Sequence, residues 1–534
     1  MNARYRNIST ATLLAATIIC ASTGATAQQP VLGSHPHWLT RWSPAQRNAL
    51  TRATLHALLY PMAPIGLAFT TGNPAGIVLQ VDSAANWLRI GTGEESGDYR
   101  EELEPGSVRE TAASGTGWTP VGDRSVLAGN VSIARRSLGA PVFSGLSSTL
   151  RSPLLVVDTS GAGIDEAHAR IDGAAALSFG KLAAGIAAGY DVLTRNTRAS
   201  PVPHIGRVAA PAASSGLTWS VSDDLAFGAH ARWRRHNERL SMYAIANATQ
   251  LYLFDGYRDP LAQDFRSLFL RVVRADETAV GAGAAGSIGA GRWALYAELS
   301  SMTEKHRSDD NPDGAADRWA GDALRAGAAL RAPLFGASVL PGVSIEWTSS
   351  KHDLARGEVP AVTFLAEEDR VDIRGELRGT GTGAFEWIVA IDVAGLDQTA
   401  TDSLAGTVID LRSWSRSLTL AGRREFGRFS VAFGGAYGQY LPAGSIPRPG
   451  DIGPGYALYL APRFGLLATD ANRWSFASAV SYRWGGRSWT LEFSRSSVEP
   501  VGLARLQGAP DGNRSVWRVE LVTARYQASA SDRY

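Results

Sequence analysis

The sequence predicts an all-β fold, and three observations favour a transmembrane antiparallel up-and-down β-barrel. Apolar and polar residues alternate with a period of two over segments of about 10 to 13 residues, which is longer than the usual strand of a soluble protein. Short turns and long polar connections follow one another along the chain, as in barrels that span an outer membrane. Aromatic residues lie near the ends of predicted strands, where the membrane interface favours them: Trp293, Trp474, Trp484 and Trp489.

The first 27 residues predict a secretory signal peptide. Arg4 and Arg6 precede a short apolar stretch, and Ala25-Thr26-Ala27 fits the cleavage pattern. The apolar stretch is too short to span a membrane. Together with the barrel pattern, this predicts a location in the cell outer membrane of a Gram-negative-type bacterium.

Residues 28–75 are predicted to form an N-terminal periplasmic segment with one short helix. Ser43-Pro44-Ala45-Gln46 has the pattern of a helix start with proline at the first helical position, and Pro61 ends the helical spacing. We expect residues 76–534 to form the outer-membrane barrel.

The cysteine and charge contents exclude several classes of function. Cys20 is the only cysteine and lies in the predicted signal peptide, so the mature chain has no disulfides and no thiolate metal ligands. The chain has 52 basic and 50 acidic residues, a balance that does not favour nucleic-acid binding. We expect no cofactor, and the expected partners are outer-membrane lipid and small solutes.

The stretch from Ala176 to Asn196 shows the design of the predicted strands. After a turn at Gly180-Lys181, one alternate set is apolar and the other consists of small residues followed by a charge. We predict that the apolar set faces lipid, and that the small set faces a crowded lumen or lets neighbouring backbones approach closely. The apolar set is Leu182, Ala184, Ile186, Ala188, Tyr190 and Val192, and the small set is Ala183, Gly185, Ala187, Gly189 and Asp191.

Turn residues divide the rest of the chain into about nineteen strand candidates, and a closed antiparallel barrel has an even number of strands. We therefore predict about 18 strands, with 16 to 20 as the open range. The predicted tight turns are Gly180-Lys181 and residues 222–224, 289–291, 380–383, 425–427 and 470–472. The predicted long connections are residues 194–213, 237–264, 304–320, 350–368, 397–408 and 441–454. A soluble β-sandwich is the alternative fold, because its strands also alternate.

Residues 151–203 carry several features in a recognisable order, namely Pro153, an apolar run over residues 154–157, Asp158-Thr159, Gly161, the hairpin at Gly180, Tyr190, Pro201 and Pro203. In this order they resemble a family of large outer-membrane barrels of unknown function, known mainly from bacteria of the Bacteroidetes type. The resemblance implies an outer-membrane barrel without a defined activity and transfers no functional residue.

The charged residues on the polar faces of the strands are predicted to line the lumen. Alternating charges on one strand face favour ion pairs that brace the wall, and an ion-selective constriction is the alternative. The lumen-lining candidates are Arg170, Asp172, His230, Arg232, Arg234, Asp372, Arg374, Glu376, Arg378, Glu386 and Asp392.

These features predict a pore or a transport-associated barrel for small solutes, and not an enzyme. A barrel of about 18 strands is wide enough for an aqueous lumen. The first alternative is a membrane-embedded hydrolase, which needs an acid–base pair in the lumen, and His168 lies on a lumen-facing position. The second alternative is a structural or secretion-partner barrel whose lumen is filled.

Overall fold

The computed structural model describes residues 73–79, 84–98, 105–139, 143–144, 154–158, 163–197, 204–243, 249–255, 261–265, 268–288, 291–308, 317–332, 339–356, 362–381, 385–404, 406–445, 468–501 and 512–526. The predicted signal peptide and the predicted N-terminal helix, which begins at Pro44 and ends before Pro61, lie outside the described residues. Among the described residues, no helix is long and apolar enough to cross a membrane.

The described chain begins with a 3-10 helix, Pro74–Leu79, and continues almost entirely as β-strands. The strands are β1 (Ala85–Gly97), β2 (Ser107–Val121), β3 (Ser125–Gly139), β4 (Phe143–Ser144), β5 (Leu154–Asp158), β6 (Ile164–Phe179), β7 (Leu182–Thr197), β8 (His204–Ser222), β9 (Leu225–Tyr243), β10 (Thr249–Asp255), β11 (Leu261–Phe265), β12 (Leu268–Ile288), β13 (Gly291–Ser308), β14 (Asp317–Arg331), β15 (Val339–Ala355), β16 (Val362–Gly381), β17 (Phe385–Asp402), β18 (Thr407–Phe426), β19 (Phe429–Ser445), β20 (Ala471–Trp484), β21 (Arg487–Pro500) and β22 (Arg514–Tyr526).

Eighteen of these strands form one closed antiparallel barrel. Each barrel strand pairs with its neighbours in chain order, and β1 pairs with both β2 and β22, which closes the sheet. The barrel strands are 13 to 21 residues long, more than the roughly 9 to 11 residues that cross a bilayer. The predicted barrel and its strand number are therefore confirmed.

The remaining four strands form a separate small sheet in the order β11-β10-β5-β4. The strands β4 and β5 belong to the connection between β3 and β6, and β10 and β11 belong to the connection between β9 and β12. The pairing of β5 with β10 ties these two connections together at one end of the barrel.

Tight turns occupy the opposite end of the barrel, which the usual topology places in the periplasm. The turn between β6 and β7 lies at Gly180-Lys181 as predicted, with a φ angle of 67° at Gly180. The predicted turn at residues 470–472 is wrong, because β20 begins at Ala471 after a long connection. The tight turn between β20 and β21 is Gly485-Gly486, whose φ angles of 58° and 74° suit two adjacent glycines in a type I′ turn.

Several of the predicted long connections are partly strand. The strand β8 begins at His204 and β9 ends at Tyr243, inside the connections predicted at residues 194–213 and 237–264. Beyond the membrane, polar residues occur on both faces of the strands. The alternation of apolar and polar residues is therefore lost there, although the hydrogen-bonded strand pairing continues.

The outer surface of the barrel is apolar around its circumference. Ile186 is 66% exposed, and the face of β7 that carries it matches the predicted lipid-facing set. A soluble β-sandwich would bury this face, so the alternative fold is wrong. Exposed large apolar side chains on other strands include Leu88, Ile133, Leu217, Phe227, Leu299, Leu330, Ile345, Leu420, Phe433, Val480 and Leu491.

Candidate functional site in the barrel interior

The inner faces of β6 and β7 carry a connected set of charged groups. His168 Nε2 lies 2.6 Å from Asp191 Oδ1, and Arg170 Nε donates to Asp172 Oδ2 over 2.6 Å. Asn130 of β3 donates a further hydrogen bond to Asp172 over 2.9 Å. The paired side chains of Arg170 and Asp172 are 24% and 28% exposed, so water reaches them inside the barrel.

A second set joins β9, β12 and β13. Arg232 Nη2 lies 3.0 Å from carboxylate oxygens of both Glu277 and Glu298, and His230 Nε2 lies 3.0 Å from the other oxygen of Glu298. Arg234 lies on the same inner face, two residues further along β9. One guanidinium therefore holds two carboxylates on neighbouring strands.

A third set lies on β14, β16 and β17 and has more basic than acidic groups. The guanidinium groups of Arg331, Arg374 and Arg378 all contact the carboxylate of Glu376, and Arg374 also contacts Asp392 over 3.0 Å. The three arginine side chains are 17%, 28% and 27% exposed, so this set is also reached by water.

Other predicted residues lie apart from these three sets. Asp372 forms an ion pair with Arg370 and lies nearer the start of β16 than the third set. Glu386 lies near the tight-turn end of β17, where Arg423 of β18 approaches it to 3.6 Å and also contacts Glu425. All eleven predicted candidates thus occupy inward-facing positions of their strands, and they form several separate groups.

Sequence reasoning missed three acidic residues and two basic residues that complete these groups. Their signal is present in the sequence, since each alternates with apolar neighbours on a predicted strand. Their partners could not be assigned without the strand register. Tyr296 and Arg325 both donate to Glu346 Oε2 over 2.5 Å. The missed residues are Glu277, Glu298, Glu346, Arg325 and Arg331.

The opposite side of the interior is packed. On β20, β21 and β22, nearly all inward-facing side chains are buried, including charged groups such as Glu492 and Glu520. The three charged sets together are here called the charged wall, and their arginine side chains are 17% to 28% exposed: His168, Arg170, Asp172, Asp191, His230, Arg232, Glu277, Glu298, Arg331, Arg374, Glu376, Arg378 and Asp392.

Residues 73–79, here called the luminal segment, lie inside the barrel near its tight-turn end. They contact the inner faces of β6, β7 and β8. Asn73 Nδ2 donates to the carbonyl oxygen of Leu217 over 2.9 Å and to Thr218 Oγ1 over 3.2 Å, and Asn73 Oδ1 accepts the backbone N–H of Ala75 over 3.0 Å. Ile77 and Val78 pack near Trp118 of β2, so the segment spans from β8 to the start of the barrel.

Two glycines on the small face make room for the luminal segment. A Cβ atom added at Gly185 would meet the backbone of Pro74 and Ala75, and one added at Gly216 would meet the side-chain oxygen of Asn73. The small inward set of β7 thus allows the close approach of another backbone, which was one of the two predicted roles of this face.

The histidine–carboxylate pairs have the geometry of acid–base pairs but lack a nucleophile. His168 with Asp191, and His230 with Glu298, are within hydrogen-bond distance. In the described part of the chain, no serine or threonine hydroxyl is hydrogen-bonded to either imidazole, and no cluster of three metal-ligating side chains occurs. These pairs join different strands of the barrel, and the arrangement does not assemble a catalytic triad.

Comparison with known protein families shows which family the chain belongs to. A family of unknown function, DUF6850, matches residues 74–441 of the 534 residues. The chain belongs to the DUF6850 family. The DUF6850 match begins at Pro74, so it includes most of the luminal segment and every strand from β1 to β18. The predicted resemblance to an uncharacterised barrel family is confirmed. None of the curated proteins compared with the chain matches it.

Several solved outer-membrane barrels are similar to this DUF6850 chain at low identity. BauA, the ferric preacinetobactin receptor from Acinetobacter baumannii, is 11% identical with a TM-score of 0.40, and the match covers 83% of this chain and 80% of BauA. A Pseudomonas aeruginosa FadL homologue is 12% identical with a TM-score of 0.31, over 85% of this chain and 92% of that one. The copper transporter OprC is 9% identical with a TM-score of 0.37, over 82% and 80% of the two chains.

Proposed function

We propose that the protein is a gated outer-membrane barrel that passes small polar solutes along its charged wall. The observation that carries this proposal is the water-accessible set of ion-paired side chains inside a closed 18-stranded barrel. A structural barrel gains little from keeping charges wet on its inner face, since an apolar packed core is at least as stable as buried ion pairs.

The composition of the charged wall indicates the kind of solute. Arginine and carboxylate groups alternate along it, so a solute meets hydrogen-bond donors and acceptors of both signs. Such a surface replaces part of the hydration shell of a polar molecule and offers nothing to a long alkyl chain. The excess of arginine at Glu376 favours solutes that carry a carboxylate or phosphate group.

The luminal segment supports gating at the periplasmic side. It is held by side-chain hydrogen bonds and by contact with small residues, and not by pairing with a barrel strand. Its removal from the wall would therefore leave the barrel ladder intact. The packed side of the interior further narrows the path, so the barrel at rest is expected to pass little solute.

A filled structural barrel is the second candidate function, and the burial of the inner faces of β20 to β22 favours it. Solute flux into liposomes separates the two. The full mature chain is reconstituted, and uptake of a labelled amino acid and of a labelled sugar phosphate is compared with uptake by empty vesicles.

The transport proposal predicts slow but measurable uptake that saturates with solute and falls when Arg374 and Arg378 are both changed to glutamine. The matched control is the pair Arg109→Gln and Arg135→Gln on the outer face, which should leave uptake unchanged. Uptake equal to that of empty vesicles, in the presence of folded barrel, would favour the structural function.

A further inference from the structure

The outer surface of the barrel carries a dense group of cations on five neighbouring strands, beyond the apolar belt and on the side of the long connections. We call it the outer basic patch. Six of its seven members are exposed to solvent, and Arg235 is partly exposed. The patch consists of Arg207 of β8, Arg235 and Arg239 of β9, Arg274 of β12, Lys305 and Arg307 of β13, and Arg318 of β14.

The strand register places like charges directly opposite one another within this patch. Arg207 pairs with Arg239, and Lys305 pairs with both Arg274 and Arg318, so three cations lie in one row across β12, β13 and β14. Opposite positions in an antiparallel ladder bring Cβ atoms to about 4.5 to 5.5 Å, and like charges there are destabilising. Such an arrangement favours an anion that lies across the row.

In the part of the chain that the structure describes, one carboxylate forms ion pairs with members of the patch. Asp276 contacts Arg235 over 2.6 Å and Arg274 over 3.2 Å. Among the described residues, Arg207, Arg239, Lys305, Arg307 and Arg318 have no ion pair. Five of the seven cations are thus available to an outside ligand.

The height of the patch along the barrel axis indicates which anions can reach it. Leu299 on β13 and Val280 on β12 belong to the apolar belt below the patch, and Lys305 lies six residues beyond Leu299 on the same face. One further exposed apolar side chain, Val272, lies two residues beyond Arg274 on β12. With a rise of about 3.4 Å per residue and a strand tilt of about 40°, the row of Arg274, Lys305 and Arg318 lies roughly 15 Å beyond the apolar side chains six residues below it. This is the region of lipid headgroups on the side of the long connections, where the outer leaflet lies.

We propose that the outer basic patch binds the phosphate groups of the phosphorylated glycolipid of the outer leaflet. Guanidinium groups bind phosphate oxygens through paired hydrogen bonds, and a lipid with two phosphates spans a row of cations while its acyl chains contact the apolar belt below. The site is on the outer face, so it is separate from the charged wall. The proposal rests on the placement of the barrel in the outer membrane and not on solute transport.

Purified lipid A tests this proposal with the full mature chain folded in detergent micelles. The wild-type chain should bind lipid A and should not bind lipid A whose phosphates have been removed. The triple variant Arg274→Gln, Lys305→Gln, Arg318→Gln should bind lipid A on the order of 100-fold more weakly, from about a fivefold loss per cation. The single variant Lys305→Gln should show about a fivefold loss and serves if the triple variant does not fold.

A matched control removes three cations from the same end and the same face of other strands, namely Arg109, Arg135 and Arg412. This control should change the dissociation constant by less than about threefold, because these residues lie outside the patch. In vesicles of phosphatidylcholine alone, the patch variant should resist urea at least as well as wild type, because it loses like-charge repulsion.

Any one of the following results would overturn the proposal: equal binding of lipid A by the patch variant and wild type, equal binding of the dephosphorylated lipid, or an equal loss in the control variant. Binding of inorganic phosphate as tightly as lipid A would also overturn it, since it would show a free-phosphate site in place of a lipid site.

Discussion

Arginine substitutions at two neighbouring positions of β7 test which face of the barrel wall contacts lipid. Ile186 points outward and is 66% exposed, and it lies midway between Leu182 and Tyr190, which are outward and exposed as well. An arginine at Ile186 would therefore lie near the bilayer midplane. Its expected cost is about 2 to 4 kcal/mol in folding free energy, a factor of roughly 30 to 1,000 in the folding equilibrium.

An arginine at Ala187 would enter the interior instead. Ala187 lies opposite Ala174 on β6 and Ser214 on β8, on the inner face that also carries Asp172 and Asp191. Water and two carboxylates are within reach of a long side chain there. We expect a cost of about 1 kcal/mol or less, because lumen substitutions leave the lipid contact unchanged.

Reversible folding into phosphatidylcholine vesicles measures both costs. Urea titrations of wild type, Ile186→Arg and Ala187→Arg are compared at equal lipid, and the difference in unfolding free energy between the two variants should be at least about 1 kcal/mol. If Ala187→Arg is as destabilising as Ile186→Arg, or more so, the face assignment of β7 is wrong, because a register shift of one residue exchanges every side chain between faces.

Three further substitutions have defined outcomes. Glu376→Gln should lower the unfolding free energy in vesicles by about 1 to 3 kcal/mol, since three arginines lose their shared carboxylate, whereas Glu367→Gln, in an exposed pair on the same strand, should cost less than about 1 kcal/mol. Asn73→Ala should speed hydrogen exchange of the amides of residues 75–79 without changing exchange in β7 and β8, and unchanged exchange would argue against side-chain docking of the luminal segment. Gly486→Val should cost about 1 to 2 kcal/mol because its φ of 74° is unfavourable for a branched residue, whereas Gly375→Val, in extended backbone with open space around it, should cost little.

The barrel fold could be predicted from the sequence because the two faces of its wall contact different environments, lipid outside and the barrel interior inside. Each strand across the bilayer alternates between lipid and interior, so its period-two signal is strong, as in β6, β7, β9 and β16. The signal weakens where both faces contact water. The sequence pattern therefore predicts connections where the start of β8 and the end of β9 lie.

The turn between β20 and β21 was missed for a local reason. Asp and Asn are frequent turn residues, which is why residues 470–472 resemble a turn. In the structure, Asp470 immediately precedes β20 and Asn472 is its second residue. The Gly485-Gly486 pair carries the stronger signal, because both positions need a positive φ in a two-residue hairpin turn.

The interior was only partly predictable. Strand parity is sufficient to place Arg170, Asp372 and Glu376 on the inner face. The partners of these residues depend on register between strands that are separated in sequence, as for Arg232 with Glu298. The outer basic patch has the same origin, since its cations become neighbours only through pairing of β8, β9, β12, β13 and β14.

The most direct test of the gated barrel is single-channel conductance of the full mature chain in planar bilayers, with Gly185→Ala as the opening variant. The added methyl group would meet the backbone of Pro74 and Ala75 and displace the luminal segment, whereas Gly206→Ala, on the inner face of β8, meets side-chain carbon at an ordinary 3.4 Å. The account predicts rare or small conductance for wild type and Gly206→Ala, and larger, more frequent openings for Gly185→Ala. Equal conductance of all three folded proteins would contradict it, because the luminal segment would then not control the passage.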